Sequence, residues 1–327
     1  MMTEPLKTVH VGLGPIGLEI LKAGARTGAC EPVSCADISP EIAGRSLRVV
    51  AEEEDLPNVT ICAELHEAIQ QGVEAEAAVA VVCTGSRVEQ IEAQLEAPLA
   101  GGLHCISTCE ELVFPWLRAA TVADRLDATA AENDVVLLGA GVNPGFVLDL
   151  LPFILTRVCQ SVEAVQAGRF VDASRRRRQL QAKIGSGMSP DQFRAEAAEG
   201  RIGHVGLAES AALLADCLGW QWEEFEEVID PVVADEPIAT DYFHVEAGQV
   251  CGQAQAVTMG DVRLQLTMSL GSEDRDEVRI EGRPPVHAVI RGGIHGDTAT
   301  AGTVMNLLRP LTRAEPGLRT VTEIPLA

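Results

Sequence analysis

The segment Gly12-Leu13-Gly14-Pro15-Ile16-Gly17 restricts most what this chain can become. Three glycines at that spacing suit a tight turn from a strand into a helix. The flanks have that form: residues 7–11 are a short apolar run, and 18–27 carry the spacing of a helix. Gly12 permits the turn, Gly14 lets a phosphate approach the backbone, and Gly17 lets helix and strand pack closely. Exposed N–H groups and the helix dipole then suit a pyrophosphate. Asp37 stands 20 residues past Gly17 and closes the next apolar run, 32–36. A dinucleotide-binding fold places an acid there, against the ribose hydroxyls. A carboxylate repels a 2′-phosphate, so the expected cofactor is NAD, with NADP the alternative. Without a ligand, the segment is a tight turn and Asp37 a solvated loop acid. Strand, helix and acid together favour the nucleotide.

Apolar runs at 59–63, 77–83, 103–108 and 135–139 alternate with helical patterns at 65–71, 88–95 and 116–132. That alternation predicts an α/β Rossmann domain, a doubly wound parallel sheet, over residues 1–145. Ligands of open parallel sheets bind beyond the carboxyl ends of the strands. Thr84, Gly85 and Ser86 follow the fourth run, and Thr108, Glu110 and Glu111 follow the fifth. The run 139–146, with Asn143 and Pro144, is too rich in Gly and Pro for a strand or helix. It fits a close approach to the cofactor ring, a domain-crossing turn, or both. The expected cofactor contacts are therefore Gly12, Leu13, Gly14, Pro15, Ile16, Gly17, Asp37, Thr84, Gly85, Ser86, Thr108, Asn143 and Pro144.

The second half changes character. A helix is predicted at 147–155, kinked at Pro152. A strand at 162–171 and helices at 189–199 and 207–218 follow. Strands are then predicted at 226–231, 242–250, 253–259, 262–270, 278–281 and 286–291. This is an α+β substrate and dimerisation domain, 146–291, with a mixed or antiparallel sheet. The last segment, 292–327, carries a helix at 297–311 expected to return to the Rossmann domain and close the cleft. An open sheet would leave one face wet, which predicts a homodimer.

Composition narrows the function. With 25 Lys+Arg against 48 Asp+Glu, the net charge is −23. Such a chain is not expected to bind nucleic acid, which needs a basic face, nor an anionic membrane surface. Mean hydropathy is +0.13, yet no run reaches the ~18 uninterrupted apolar residues of a membrane span. The beginning of the chain reads straight into a strand, without a signal-peptide layout. Nine cysteines include no CxxC pair, so reduced thiols in a cytoplasmic protein are expected. No clustered ligands suggest a metal. Tyr242 is the single tyrosine and Glu246 stands four residues beyond it. The Tyr–Lys pair of short-chain dehydrogenases is therefore missing.

Several segments resemble the 2,4-diaminopentanoate dehydrogenase group, which includes the native NAD(P)-dependent amine dehydrogenases. They are Asp172-Ala173-Ser174-Arg175-Arg176-Arg177 with Leu180-Gln181-Ala182-Lys183-Ile184-Gly185, Gly203-His204-Val205-Gly206-Leu207 with Glu209-Ser210, and the stretches 107–112 and 141–149. The resemblance spans almost the whole chain and implies a dihydrodipicolinate reductase-like fold. It also implies reversible oxidative deamination of a small amine to a ketone, with ammonium as co-substrate in reverse. In that group the active-site acid follows the fifth strand, which by position means Glu110 or Glu111.

The chemistry agrees. Oxidative deamination needs a base for the ammonium proton and for the water that attacks an iminium, and a carboxylate does both. Read structurally, the two acids simply favour the start of a helix. The Glu-Lys-Pro of related sugar dehydrogenases is replaced by Glu110-Glu111-Leu112. The glycine-rich substrate loop of dihydrodipicolinate reductases has no counterpart. The alternatives are a reductase of a cyclic imine or hydroxy substrate on the same fold, and a non-catalytic NAD(P)-sensing protein. Phe146, Phe170, His204 and Thr300 are the candidate pocket residues, each also readable as ordinary core, cap or hydrogen-bonded structure. Arg175–Arg178 suits either a substrate carboxylate or a solvated helix face; the solvated reading is favoured for the run as a whole, because four adjacent side chains cannot all face one pocket.

Overall fold

The computed structural model describes residues 4–325. The chain forms two units. One comprises the chain up to Phe146 together with the chain from His295 onward, and the other is Val147–Ile294.

The first unit begins β1 (Leu6–Val11), α1 (Pro15–Thr27), β2 (Cys30–Ala36), α2 (Leu47–Ala51), β3 (Ile61–Cys62) and α3 (Leu65–Glu74). It continues with β4 (Val79–Val82), α4 (Val88–Ala100), β5 (His104–Ser107), α5 (Ala120–Glu132) and β6 (Val136–Gly139). The second unit holds α6 (Leu150–Thr156), β7 (Ser161–Asp172), α7 (Arg178–Lys183), α8 (Pro190–Ala198) and α9 (Leu207–Cys217). Its remaining strands are β8 (Phe225–Val233), β9 (Ile238–Ala239), β10 (His244–Val245), β11 (Val250–Met259), β12 (Val262–Ser269), β13 (Arg275–Arg283) and β14 (Val286–Arg291). The first unit is completed by α10 (Gly296–Leu311) and β15 (Gly317–Arg319).

The first sheet has the order β15-β6-β5-β4-β1-β2-β3, and every neighbouring pair is parallel. Its strands are apolar on both faces because helices cover both: all four residues of β4 are buried, as are all four of β6. The order reverses between β1 and β4, which opens a crevice beyond their carboxyl ends. This is the doubly wound sheet expected from the alternating pattern. The seventh strand, β15, carries no sequence signal. Three residues pair with β6, and the Asp127 carboxylate accepts the Leu318 N–H at 2.7 Å.

The second sheet is mixed, in the order β14-β13-β7-β12-β11-β8. The β7–β12 pair is parallel and the others are antiparallel. Alternation divides it cleanly. Val165, Ala167, Arg169 and Val171 of β7 are buried, as are Gln253, Gln255 and Val257 of β11 and Leu264, Leu266 and Met268 of β12. The wholly buried turns of α9, Leu207–Ala215, pack on that inner face and carry two polar residues, Glu209 and Ser210, into the interior.

Three local expectations are corrected. The helix predicted at 116–132 is a 3₁₀ turn, Pro115–Leu117, followed by α5. The helix predicted from 147 starts at Leu150, where the Asp149 carboxylate accepts the Leu150 N–H at 2.6 Å. Pro152 thus lies in its first turn, where no intrahelical N–H is required, and no kink is needed. The strand predicted at 242–250 shrinks to β10, because Gly248 (φ +86°) turns the chain before β11 begins. No described helix is long and apolar enough to cross a membrane. Among the described residues, no cluster of His, Cys, Asp and Glu has the form of a metal site.

Candidate active site

The carboxyl ends of β1, β4, β5 and β6 bring most of the sequence-predicted residues together. At β1 the chain turns at Gly12, whose φ is +87° and whose added Cβ would stand 2.6 Å from the Cys83 carbonyl oxygen. A Cβ at Gly17 would collide with the Gly12 carbonyl oxygen. A Cβ at Gly14 would meet nothing within 4 Å. Gly12 and Gly17 are thus required by the fold itself, whereas Gly14 fronts open space. Gly14 is also the N-cap of α1, with no side-chain cap, and Pro15 opens the helix. Unsatisfied N–H groups at a helix start facing open space fit a pyrophosphate.

Asp37 is fastened to this turn. One carboxylate oxygen accepts the Leu13 N–H at 2.7 Å and the other accepts the Ser39 N–H at 2.8 Å. Two backbone donors hold the carboxylate at the mouth of the loop, where a ribose would lie. The residues therefore fit a dinucleotide, and one lacking a 2′-phosphate.

Beyond β4, Thr84 lies against Gly12, and the Ser86 carbonyl accepts the Glu111 N–H at 3.1 Å. Beyond β5, the Thr108 N–H donates to Val82 O at 3.1 Å. Ser107 Oγ donates to Val82 O and accepts the Cys109 N–H. The chain then makes a 3₁₀ turn, Glu110–Val113, carrying both candidate acids. Gly139 at the end of β6 allows that turn to come close, for a Cβ there would stand 2.5 Å from the Leu112 carbonyl carbon.

The two acids have different environments. Glu111 is 4% exposed. Its carboxylate accepts the Val88 N–H at 2.9 Å and pairs with Arg87 at 3.3 Å. Arg87, the N-cap of α4, has no side-chain cap of its own. Glu111 supplies the missing acceptor from across the fold and complements the helix dipole. Glu110 is half-buried at the first position of the turn. Cys109 beside it and Cys83 at the end of β4 have thiols pushed up to about 12 by burial, so neither is a nucleophile at neutral pH.

The segment after β6 folds on itself. The Asn143–Pro144 peptide is cis, Gly145 has φ +113°, and the Thr300 hydroxyl of α10 accepts the Val142 N–H at 3.3 Å. Thr300 thus holds the Asn143–Pro144 turn, a job that residue spacing did not reveal. Phe146 ends the unit, half-buried.

The other two candidates lie in the second unit and do not share a face. Phe170 is on the outer side of the sheet, with the Arg275 guanidinium 4.0 Å over its ring. His204 lies over the inner side: its N–H donates to Gln255 Oε1 at 2.7 Å, and Gln255 Nε2 donates back to its carbonyl at 2.9 Å. Burial lowers the His204 pKa to about 4, helped by the positive charges of Lys183 and Arg169. Sequence reasoning missed the inner-face ion pair, in which Arg169 (4% exposed) meets Asp276 (2% exposed) at 3.3 Å. Burial lowers the arginine's pKa and raises the aspartate's. The signal was available: polar residues stood in the buried phase of apolar strands.

A parallel sheet in this order, with a glycine turn open at Gly14 and tied to Asp37, defines a Rossmann-type protein carrying a second, mixed-sheet domain. Residues 146–327 match the family model described as the 2,4-diaminopentanoate dehydrogenase C-terminal domain, and the chain belongs to that family. It is 27% identical over 265 residues to the 2,4-diaminopentanoate dehydrogenase of Acetoanaerobium sticklandii, covering 77% of this chain and 75% of that one. It is 22% identical over 230 residues to an amine dehydrogenase of Streptomyces virginiae, covering 62% and 64%. The solved structure of the amine dehydrogenase from Mycobacterium smegmatis superposes with a TM-score of 0.82 at 18% identity, covering 98% and 96%. The fold is therefore shared with that solved structure.

Proposed function

We propose that the chain is an NAD-dependent amine dehydrogenase. It converts a protonated amine, NAD⁺ and water to a ketone, ammonium, NADH and a proton, and runs in reverse as reductive amination. What carries this is the family match, made by a chain whose other domain holds a dinucleotide turn with Gly14 open and Asp37 locked beside it. NAD, when bound, supplies the hydride acceptor.

The residues supply the rest. Gly12–Gly17 and Asp37 hold the pyrophosphate and ribose, and Thr84, Gly85, Ser86, Thr108, Asn143 and Pro144 stand along the neighbouring strand ends. Glu110 takes the proton of the substrate ammonium and later that of the water attacking the iminium. Glu111 is committed to Val88 and Arg87, so it positions the turn that presents Glu110. The protein is cytoplasmic. It works as a homodimer through the outer sheet face, where Arg279, Glu281, His287 and Val289 are exposed.

The test mixes the protein with NADH, ammonium and a panel of small ketones and follows NADH absorbance. Ammonium-dependent oxidation is expected. Turnover without ammonium points instead to a reductase of an imine or hydroxy substrate, and binding without turnover to a nucleotide sensor.

A further inference from the structure

Among the described residues, one large apolar side chain stands almost wholly in water. Ile38 is 91% exposed, whereas the other exposed large apolar residues lie between 40% and 66%. A half-open valine is ordinary on a protein surface. An isoleucine this open takes almost no part in the packing of the fold, so its apolar surface is left for something else to cover.

The chain on either side of it is fastened. The Asp37 N–H donates to the Cys62 carbonyl at 3.1 Å, and the Ser39 N–H donates to Asp37 Oδ1 at 2.8 Å. The Ser39 carbonyl accepts the N–H groups of Ile42 and Ala43 at 3.1 and 2.9 Å. The Gly44 N–H donates to the Ile61 carbonyl at 2.8 Å. A turn tied at both ends therefore presents Ile38 to solvent rather than folding it in.

The place of Ile38 selects what covers it. The neighbouring Asp37 carboxylate accepts the Leu13 N–H at 2.7 Å, inside the glycine turn. With the pyrophosphate at Gly14 and the ribose hydroxyls on Asp37, the base lies one glycosidic bond beyond that ribose. Consecutive Cα atoms are about 3.8 Å apart, so the residue after Asp37 is within reach of a ring joined to the ribose. The sheet order sets β1, β2 and β3 on one side of the switch point and β4, β5 and β6 on the other. A doubly wound sheet divides the two mononucleotide halves across that point. Ile38 follows β2, on the adenosine side. The ribose and phosphates call for the polar groups of Asp37 and the turn, while the flat, uncharged face of adenine suits an aliphatic wall.

We propose that Ile38 is the apolar wall against which the adenine ring of NAD packs. This rests on the NAD reading of the turn and is independent of the amine chemistry. It makes the adenosine half, and not the pyrophosphate turn alone, a source of cofactor affinity.

The test measures binding to the full chain, with no ketone or amine present. NADH and ADP-ribose, which keeps the adenosine half and lacks nicotinamide, are titrated calorimetrically into native protein, Ile38→Val and Ile38→Ser. Ile38→Ser should weaken both ligands by about five- to tenfold, the effect of losing cover over roughly half an isoleucine side chain. Ile38→Val should weaken both by about twofold or less. Ligand-free melting temperatures should stay within about 2 °C of native, because the side chain is exposed. Native affinity for both ligands in Ile38→Ser overturns the proposal. So does a loss seen with NADH alone, which places the contact at the nicotinamide end. A loss in Ile38→Val as large as in Ile38→Ser also overturns it, since the turn and Asp37 have then shifted. If the native chain binds neither ligand, the NAD reading itself fails and takes this proposal with it; native binding left intact by Ile38→Ser removes the proposal alone.

Discussion

Adjacent glutamates with separate duties should separate in mutagenesis. Glu111→Ala removes the acceptor for the Val88 N–H, whose residue is wholly buried. A buried donor left unpaired costs about 1–3 kcal/mol. The ion pair adds little, because the Arg87 side chain is 49% exposed and such pairs contribute at most about 1 kcal/mol. A total near 2–3 kcal/mol corresponds to a melting temperature lower by roughly 4–10 °C for a domain of this size. Glu111→Gln keeps an acceptor and should lose about half as much or less. Glu110→Gln removes a proton acceptor without changing shape, and should lower kcat by about 10²–10⁴-fold. Scanning fluorimetry and initial rates of ketone amination on the three variants give both readouts. If Glu110→Gln keeps more than a tenth of native turnover while Glu111→Gln loses it, the roles are inverted. If both keep it, no carboxylate on this turn is the base.

Two further outcomes follow from the same structure. Gly14→Ala should fold normally, because its Cβ meets nothing within 4 Å and its φ is −67°. It should weaken NAD binding at least about tenfold by occupying the phosphate approach. Gly17→Ala, which drives a methyl into the Gly12 carbonyl, should instead lower the melting temperature; NAD titration and melting curves distinguish the two. His10 is buried and its pKa is lowered to about 3. The unfolded chain therefore binds a proton the folded chain refuses between pH 6.5 and about 3, and stability falls as pH falls through that window. From pH 7 to 5 this amounts to roughly 2 kcal/mol. Urea unfolding of native protein and His10→Asn at both pH values should show the native protein losing about that much more. An equal loss refutes the buried neutral state.

Much of this protein is local in origin, and that part was legible. A glycine at 12 needs positive φ, a four-residue apolar strand such as Val79–Val82 needs cover on both faces, and a strand–turn–helix repeat winds in one hand. These are properties of neighbouring residues, so the parallel sheet, the nucleotide turn, Asp37 and the placing of two acids after the fifth strand could all be read before folding. The resemblance to one family came from short motifs in the same way.

What the sequence could not decide were pairings between residues far apart in the chain. Nothing near Glu111 reveals that it caps a helix beginning 23 residues earlier, or that Thr300 holds the turn at Val142. Three residues at 317–319 become a strand only because β6 offers an edge. Phe170 and His204 looked equally eligible for a pocket, yet the pleat of the second sheet turns one outward and sets the other over the inward face. Gln253 and Gln255 are the same residue type two positions apart. One is saturated and the other has no partner, a difference made entirely by which chain segment folds over each. Hydrogen-bond satisfaction is a property of tertiary neighbours, and only the folded chain assigns them.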